Sequence, residues 1–231
     1  MNSVFSLTDH QSTAKQSVAK PSIFSDFQIP HRSAYCVVKR FFDIVGSLVG
    51  LVILALIFLP IAIAIQIEAP GPVFFSQRRH GLNGKPFTIY KFRSMVVNAD
   101  NLKHQVKNEA NGLIFKNFQD PRVTRVGKFL RSTSLDEFPQ FWNVLLGEMS
   151  LVGTRPPTTD EVRQYNDRHW QRLNVKPGIT GEWQVNGRSE ISDFEEIVDL
   201  DLRYQQCWTP LYDLAILWKT FYIVFAKVGA V

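Results

Sequence analysis

The uncharged run IVGSLVGLVILALIFLPIAIAIQI, residues 44–67, decides how this chain is organised. At about 1.5 Å per residue, a continuous helix over this run would cross the hydrocarbon core of a bilayer, which is about 30 Å thick. A plain transmembrane helix is therefore the simplest interpretation of the run.

Two features favour a hairpin instead. Pro60 has no backbone N–H and clashes with the preceding turn, so we expect it to kink or break the helix. Both flanks are basic: Lys39 and Arg40 precede the run, and Arg78 and Arg79 are the first of five basic residues in 69–97. Basic flanks favour the cytoplasm, and a single span cannot place both there. We predict a re-entrant membrane helix hairpin over residues 35–70, with a plain span as the alternative.

The charge distribution supports a membrane-surface location. The chain carries 26 basic and 21 acidic residues, a net charge of +5, and residues 35–97 hold seven basic and two acidic residues, 7 − 2 = +5. A surplus beside the apolar run favours anionic lipid or phosphate over nucleic acid. Cys36 and Cys207 have no metal-binding or redox spacing, which favours a reducing compartment.

Outside the apolar run, the chain divides into a tail and a larger domain. Residues 1–34 are rich in Ser and Gln, and we predict a flexible polar tail without a signal peptide. Residues 71–231 have the pattern of an α+β domain that is mainly helical. Strands are expected on either side of a turn at 82–84 and at 182–185, and helices over 97–108, 135–146, 159–173, 194–206 and 210–228. The last helix is expected either on the surface, at lipid headgroups, or packed on the core.

The stretch DPRVTRVGKFLRSTSLDEFPQFWNVLLGEMSLVGTRP, residues 120–156, carries the candidate chemistry. Ser134 and Glu137 have capping-box spacing, Pro139 requires a helix start nearby, and Gly147 is a helix stop. Asp136 and Glu137 therefore lie at a helix start, where they could act as caps or take part in a phosphate site. Basic residues surround the pair: Arg122, Arg125, Lys128, Arg131 and Arg155.

Several segments together resemble one known family. They are KRFFD at 39–43, FFSQRRHG at 74–81, YKFRSM at 90–95, the 120–156 stretch, KPGITGEWQVNGR at 176–188 and the terminal helix with Asp213 and Lys219. The chain resembles the bacterial sugar transferases, the monotopic phosphoglycosyl transferases, over residues 35–231. Within that family it is similar to the short, exopolysaccharide-type members.

The resemblance implies a reaction and a catalytic pair. Such enzymes transfer a sugar 1-phosphate from a UDP-sugar to polyprenyl phosphate and release UMP. Asp136 matches the nucleophile that carries the phosphosugar covalently, and Glu137 matches the second acid of the pair. Both carboxylates are implied as ligands of Mg²⁺.

The resemblance also implies binding residues and a location. Lys91, Arg93, Arg131 and Arg155 match basic positions, and we expect them to contact phosphate, with bonding to backbone carbonyls as the alternative for Lys91 and Arg93. Lys39, Arg40 and Pro60 are expected to fix the membrane topology. The expected partners are a UDP-sugar, polyprenyl phosphate and lipid of the bacterial inner membrane, with a cytoplasmic catalytic domain, and a homo-oligomer is left open.

Two other functions are weighed against this enzyme. A non-catalytic membrane adaptor could bind anionic lipid or a partner through the basic surface, and it would not need Asp136. A membrane-anchored nucleic-acid binder fits the basic composition, but the surplus charge lies beside the apolar run and no nucleic-acid-binding motif is present. We expect no nucleic acid among the partners.

Overall fold

The structure is a computed structural model that describes residues 29–187 and 191–226. In that part of the chain, helices predominate and four short strands form two two-stranded sheets. The prediction of an α+β fold that is mainly helical is confirmed.

The regular elements follow one another in a fixed order. The strands are β1 Phe74–His80, β2 Pro86–Phe92, β3 Ser150–Val152 and β4 Gly178–Thr180. The α-helices are α1 Val37–Glu68, α2 Arg125–Ser132, α3 Gln140–Leu146, α4 Thr159–Val162, α5 Asp167–Trp170, α6 Glu182–Val185, α7 Phe194–Cys207 and α8 Pro210–Ala226. Short 3₁₀ turns cover Arg32–Tyr35, Leu82–Gly84, Lys103–Gln105, Leu135–Glu137 and Gln171–Asn174.

Helix α1 continues through Pro60, so the predicted break at this residue is wrong. The helix has 32 residues, and it is long and apolar enough to cross a membrane. Packing explains its continuity: Ile57 before the proline and Ile61 and Ile65 after it join one apolar cluster with Phe92 and Leu130 of the domain. This shared contact holds both halves in one helix despite the missing N–H of Pro60.

Both ends of α1 are attached to the same domain. In the first turn, Lys39 Nζ forms an ion pair with Asp213 Oδ2 at 2.6 Å. In the last turn, the Glu68 carboxylate accepts hydrogen bonds from the N–H groups of Arg125 and Val126, at 2.7 and 2.8 Å. The helix therefore lies along the domain, and its other side exposes apolar residues that include Phe41, Val52, Leu56, Leu59 and Ile67.

The two basic residues before the apolar run face the domain, and their expected role in fixing the membrane topology stays a prediction. Lys39 is only 6% exposed. Arg40 donates hydrogen bonds to the carbonyl oxygens of Val144 and Leu145, both at 2.7 Å, at the end of α3. Carbonyl groups at a helix C-terminus carry partial negative charge and attract a cation, although Val144 O also accepts from Gly147 N at 2.9 Å. Lys39 and Arg40 thus fasten α1 to the domain.

Strands β1 and β2 form the predicted antiparallel hairpin, with a register from Phe74↔Phe92 to His80↔Pro86. Asn83 and Gly84 close the turn with positive φ angles of 54° and 70°, which asparagine and glycine tolerate better than other residues. On one face of the hairpin, Phe87 and Ile89 pack against Val144 and Met149. This packing ties the hairpin to α3.

Three predicted elements differ from the structure. Residues 182–185 form a helix rather than a strand, because Val185 packs into the core beside Tyr204. The expected helix over 97–108 is a series of turns, starting at the left-handed Asn98 (φ 66°). The helix over 159–173 is divided because Asn166 caps a new helix in a capping box with His169.

The two ends of the described chain also refine the predictions. Of the predicted tail, residues 1–28 lie outside the described residues, whereas His31 N donates to Asn174 O at 2.8 Å and Arg32 donates to Trp208 O at 2.7 Å. The last residues of the tail are therefore held on the domain. Helix α8 packs Ile216 into the core and exposes Trp218 and Phe221 on its other side, so it does pack on the core, and contact of its exposed side with lipid headgroups stays a prediction.

Candidate active site

One cavity of about 2760 Å³ brings the predicted site residues together. Its wall includes residues from the hairpin, α2, the 3₁₀ turn before α3 and the turn after β3. All six predicted catalytic and substrate-binding residues line it: Lys91, Arg93, Arg131, Asp136, Glu137 and Arg155. The exposed apolar side of α1 adjoins the cavity, because Phe42, Val45, Val49 and Ile53 line it too.

A short 3₁₀ turn presents the two acids. Ser134 has a left-handed backbone (φ 56°) and no capping hydrogen bond from its side chain, so the predicted capping box is wrong. The chain then forms one 3₁₀ turn, Leu135–Glu137, before Pro139 leads into α3. Gly147 ends α3 with φ 83°, as predicted. The left-handed residue and the tight turn direct the acids into the cavity wall.

The two acids differ in their surroundings. Asp136 is only 5% exposed. The neighbouring Glu137 forms an ion pair with Lys91, whose Nζ lies 2.8 Å from Glu137 Oε1. Lys91 extends from β2, so the hairpin and the turn before α3 meet at this contact. The lysine keeps the Glu137 carboxylate in one position within the cavity.

Arg131 reaches the cavity from α2, and its Nε donates to Ser94 Oγ at 2.9 Å. Helix α2 lies very close to the segment that follows β2: a Cβ built on Gly127 would lie 1.9 Å from the backbone oxygen of Ser94. Only glycine permits this approach. The helix and the Ser94 segment therefore hold the Arg131 guanidinium between them.

Arg155 is held by a carboxylate that the sequence did not single out. Its Nη1 and Nη2 lie 2.8 and 3.2 Å from the two oxygens of Glu161, a residue only 4% exposed. Burial alone would raise the pKa of Glu161, but the facing Arg155, together with Arg79 and Arg172, outweighs burial and holds this pKa below its usual value. Burial likewise lowers the pKa of Arg155, and Glu161 more than compensates.

Arg93 bonds to the backbone in this structure, which is the alternative that the sequence left open. Its Nη2 donates to the carbonyl oxygen of Ala69, just after α1. A Cβ added to Gly71 would lie 2.5 Å from Arg93 Nη1. The guanidinium thus packs against the link between α1 and β1, and phosphate contact by Arg93 stays a prediction.

Sequence reasoning missed several charged residues in the cavity wall. Glu161 gave no signal beyond its place in a helix start. Arg79 was counted in a basic flank and in the FFSQRRHG segment without a role of its own, although its position on an alternating strand could have shown that it faces inward. Arg122, which was grouped with the surrounding bases, is buried in an ion pair with Asp120, with Nη2 and Oδ2 2.6 Å apart.

The donor set suits a metal that is shared with a substrate. Among the described residues, no cluster of three or more metal-binding side chains is present. Mg²⁺ usually binds one or two carboxylates and completes its shell with water and substrate phosphates. Asp136 and Glu137 are adjacent carboxylates on the cavity wall, so they fit that kind of site and not an all-protein cage.

Comparison with known proteins identifies the family. The bacterial sugar transferase family model matches residues 34–227. Among curated relatives, a protein named galactosyl transferase CpsE from Streptococcus agalactiae is 48% identical over 202 residues, which cover 87% of this chain and 45% of that protein. The undecaprenyl-phosphate galactose phosphotransferase of Salmonella typhimurium is 43% identical, over 83% of this chain and 41% of its own length.

A shorter relative matches over most of its own length. The exopolysaccharide production protein ExoY of Sinorhizobium fredii is 38% identical over 79% of this chain and 83% of that protein. The chain spans less than half the length of the two longer relatives. Both the family match and the ExoY match cover most of the chain, and the chain belongs to the bacterial sugar transferase family.

Proposed function

We propose that this chain transfers a sugar 1-phosphate from a UDP-sugar to polyprenyl phosphate, with release of UMP. The observation that carries the proposal is one cavity in which Asp136 and Glu137 lie among basic residues, beside the exposed apolar side of α1. The basic residues suit the charged phosphates of the donor, and the apolar side of α1 suits the lipid chain of the acceptor. The names of the relatives agree, since several are undecaprenyl-phosphate galactose or glucose transferases.

The proposed reaction has two displacement steps at phosphorus. The Asp136 carboxylate attacks the β-phosphorus of the UDP-sugar, the bond from that phosphorus to the bridging oxygen breaks, and UMP leaves. The phosphosugar is then held on Asp136 as an acyl phosphate. An oxygen of polyprenyl phosphate attacks the same phosphorus, which forms the diphosphate link and frees the aspartate.

The neighbouring residues have supporting roles in this proposal. Glu137, which is positioned by Lys91 at 2.8 Å, orients the incoming phosphate or accepts a proton from it. Arg131 and Arg155 bind the donor phosphates, because phosphoryl transfer depends mainly on positioning and on neutralising charge. The near-complete burial of Asp136 limits access of water to the acyl phosphate.

Mg²⁺ is the proposed cofactor, held by Asp136 and Glu137 together with substrate phosphates. When bound, the ion neutralises phosphate charge during transfer.

For the membrane, we propose that both ends of α1 remain on the cytoplasmic face of the bacterial inner membrane. The attachment of Lys39 and Glu68 to one domain supports this topology, because a helix that crossed the bilayer would place its ends on opposite sides. The exposed apolar side of α1 then contacts lipid. This proposal keeps the same-face topology of the predicted hairpin without a break at Pro60.

The activity is tested by incubating the purified protein with Mg²⁺, polyprenyl phosphate and a panel of UDP-sugars while UMP release is measured. We expect release with at least one sugar, and a loss of at least about 1000-fold in Asp136→Asn, since a nucleophile is removed. Asp199→Asn, an exposed acid on α7 outside the cavity, is the matched control and should keep full activity. Absence of UMP with every sugar, or full activity of Asp136→Asn as the adaptor function requires, would contradict the proposal.

The topology is tested by cysteine labelling in intact spheroplasts, with Cys36 and Cys207 replaced. Single cysteines at Ile29 and Lys85, both exposed and on opposite sides of α1 in the sequence, should both resist a reagent that cannot cross the membrane. Both should react after permeabilisation. Labelling of only one of the two before permeabilisation would show that α1 spans the bilayer.

A further inference from the structure

We propose that Arg79 is a further binding residue for the diphosphate of the nucleotide-sugar donor, acting beside Arg155. This inference rests on the proposed function, since it assigns a role at the same site. Arg79 lies in the FFSQRRHG segment at 74–81, but no individual role was predicted for it from the sequence.

The first observation is the direction in which Arg79 faces. The register of the hairpin pairs Arg79 with Phe87 and Phe75 with Lys91, so Arg79 and Lys91 lie on the same face. This is the face whose Phe87 and Ile89 pack against α3. Arg79 lines the cavity together with Glu137 and Arg155, whereas the adjacent Arg78 lies on the opposite face and is exposed.

The second observation is how the cavity cations are partnered. Lys91 is paired with Glu137 at 2.8 Å, and Arg155 is paired through both Nη atoms with Glu161. Arg79 instead donates from Nε to the Gln77 side-chain oxygen at 2.9 Å and from Nη1 to the Pro156 carbonyl oxygen at 2.8 Å. Both acceptors are neutral. Within residues 29–187 and 191–226, the hydrogen bonds of Arg79 come from Nε and Nη1, and none comes from Nη2.

The electrostatics agree with this geometry. Burial and the neighbouring Arg155 lower the pKa of Arg79 to about 10, and the attraction of the more distant Glu161 and Glu137 does not make up the difference. The charged form of a buried guanidinium beside another arginine is stabilised when an anion binds next to it. The two bonds to Gln77 and Pro156 fix the plane of the group in advance, so little entropy is lost when the anion binds.

A diphosphate suits this arrangement better than a single carboxylate does. Arg79 lies beside the turn that follows Arg155, since its Nη1 donates to the Pro156 carbonyl oxygen and its backbone bridges to Thr158. Glu161 occupies the fork of Arg155, and within residues 29–187 and 191–226 Nη2 of Arg79 is a donor that a phosphate oxygen could use. Charge-assisted bonds of this kind are the strong ones in protein sites.

The experiment compares Arg79→Gln with Arg78→Gln, its neighbour on the other face of the same strand. Binding of UDP, UMP and uridine is measured by calorimetry on the full chain in detergent. We expect Arg79→Gln to weaken UDP binding by about 10–100-fold, the effect of losing a hydrogen bond to a charged group. Uridine binding should not change, and Arg78→Gln should match the wild type. Arg79→Lys should recover part of the UDP affinity because it keeps the charge.

The outcomes separate a binding role from a structural one. An equal loss of UDP and uridine binding in Arg79→Gln, or no loss of either, would overturn the inference. If Arg79→Gln does not fold, Arg79→Lys decides the question, because it must still weaken UDP more than uridine. The proposed function is judged separately, by UMP release from the wild type. If the wild type is active but Arg79→Gln binds UDP as strongly relative to uridine as the wild type does, this inference alone is refuted.

Discussion

Two buried groups of this protein have the same composition, a base, an aspartate and a tyrosine, yet they hold different parts of the molecule. In the first, Lys39 pairs with Asp213 at 2.6 Å, and Tyr204 donates to the same aspartate at 2.8 Å. This group joins α1 to α7 and α8, so it fastens the apolar helix to the domain.

The second group lies behind the cavity. Arg172 pairs with Asp201, with Nη2 and Oδ2 2.6 Å apart, and Arg172 Nη1 donates to Tyr165 Oη at 2.6 Å. Asp201 and Tyr165 both lie close enough to Arg155 to raise its pKa. This group therefore supports the wall that carries Arg155 and Glu161.

The two buried groups differ in whether their base can lose its charge. An arginine stays charged in any protein, whereas a buried lysine can lose its proton when its partner is removed. Arg172 is 1% exposed, so an unpaired charge there cannot be relieved by solvent. We expect the Arg172 group to be the more sensitive of the two.

The largest effect is expected for Asp201→Asn. Removing the charge of one partner leaves the buried Arg172 uncompensated, and the free energy of unfolding should fall by about 3–5 kcal/mol. Urea unfolding in detergent micelles, followed by tryptophan fluorescence, measures this loss. A change below about 1 kcal/mol would show that Arg172 finds another acceptor.

A smaller effect is expected for Asp213→Asn. Lys39 keeps its hydrogen bond to the Val152 carbonyl at 2.8 Å, so we expect a loss of about 1–3 kcal/mol. The first turns of α1 should also exchange amide hydrogens faster, because their attachment to α8 is weakened. A loss as large as that of Asp201→Asn would remove the distinction between the two groups.

Acid should weaken the cavity wall through Glu161. The pKa of this carboxyl lies below its ordinary value of about 4.3 because Arg155, Arg79 and Arg172 together outweigh burial. Its contribution to stability is therefore complete above about pH 4.3 and is lost as the pH falls through the folded-state pKa. The difference in unfolding free energy between the wild type and Glu161→Gln should shrink between pH 6 and pH 3. A difference that stays constant would mean that Glu161 is not an ionised partner.

The smallest effect is expected for an exposed pair that resembles neither group. Arg163 and Asp160 lie 3.5 Å apart with side chains 74% and 72% exposed. Arg163→Gln should change the free energy of unfolding by less than about 0.5 kcal/mol. A larger loss would indicate that burial is not what separates the strong pairs from the weak ones.

Short-range patterns of the sequence predicted much of this structure correctly. The β1–β2 hairpin and its turn at Asn83-Gly84 follow from alternation and turn chemistry, and the end of α3 at Gly147 follows from glycine's tolerance of positive φ. Asp136 and Glu137 were found from their basic surroundings and their family motif. Both signals lie within a few residues of the features they predict.

Predictions failed where distant residues compete with a local preference. Pro60 should break a helix, but Ile57, Ile61 and Ile65 pack on Phe92 and Leu130 and keep α1 continuous. The pattern at 182–185 was typical of a strand, but packing of Val185 beside Tyr204 accompanies a helix there. Tertiary packing outweighs a weak local propensity in each case.

By itself, the sequence determined the mainly helical α+β fold, the long apolar helix and the acidic pair among basic residues. These features depend on residues that are close together in the sequence: hydrophobic runs, turn-forming residues and clusters of charge. The tertiary structure alone decided that Lys39 is buried against Asp213, that Glu161 holds Arg155 and that Arg79 faces the cavity. The physical reason is that partners far apart in the chain meet only after folding, and burial then makes each charge depend on the partner it meets.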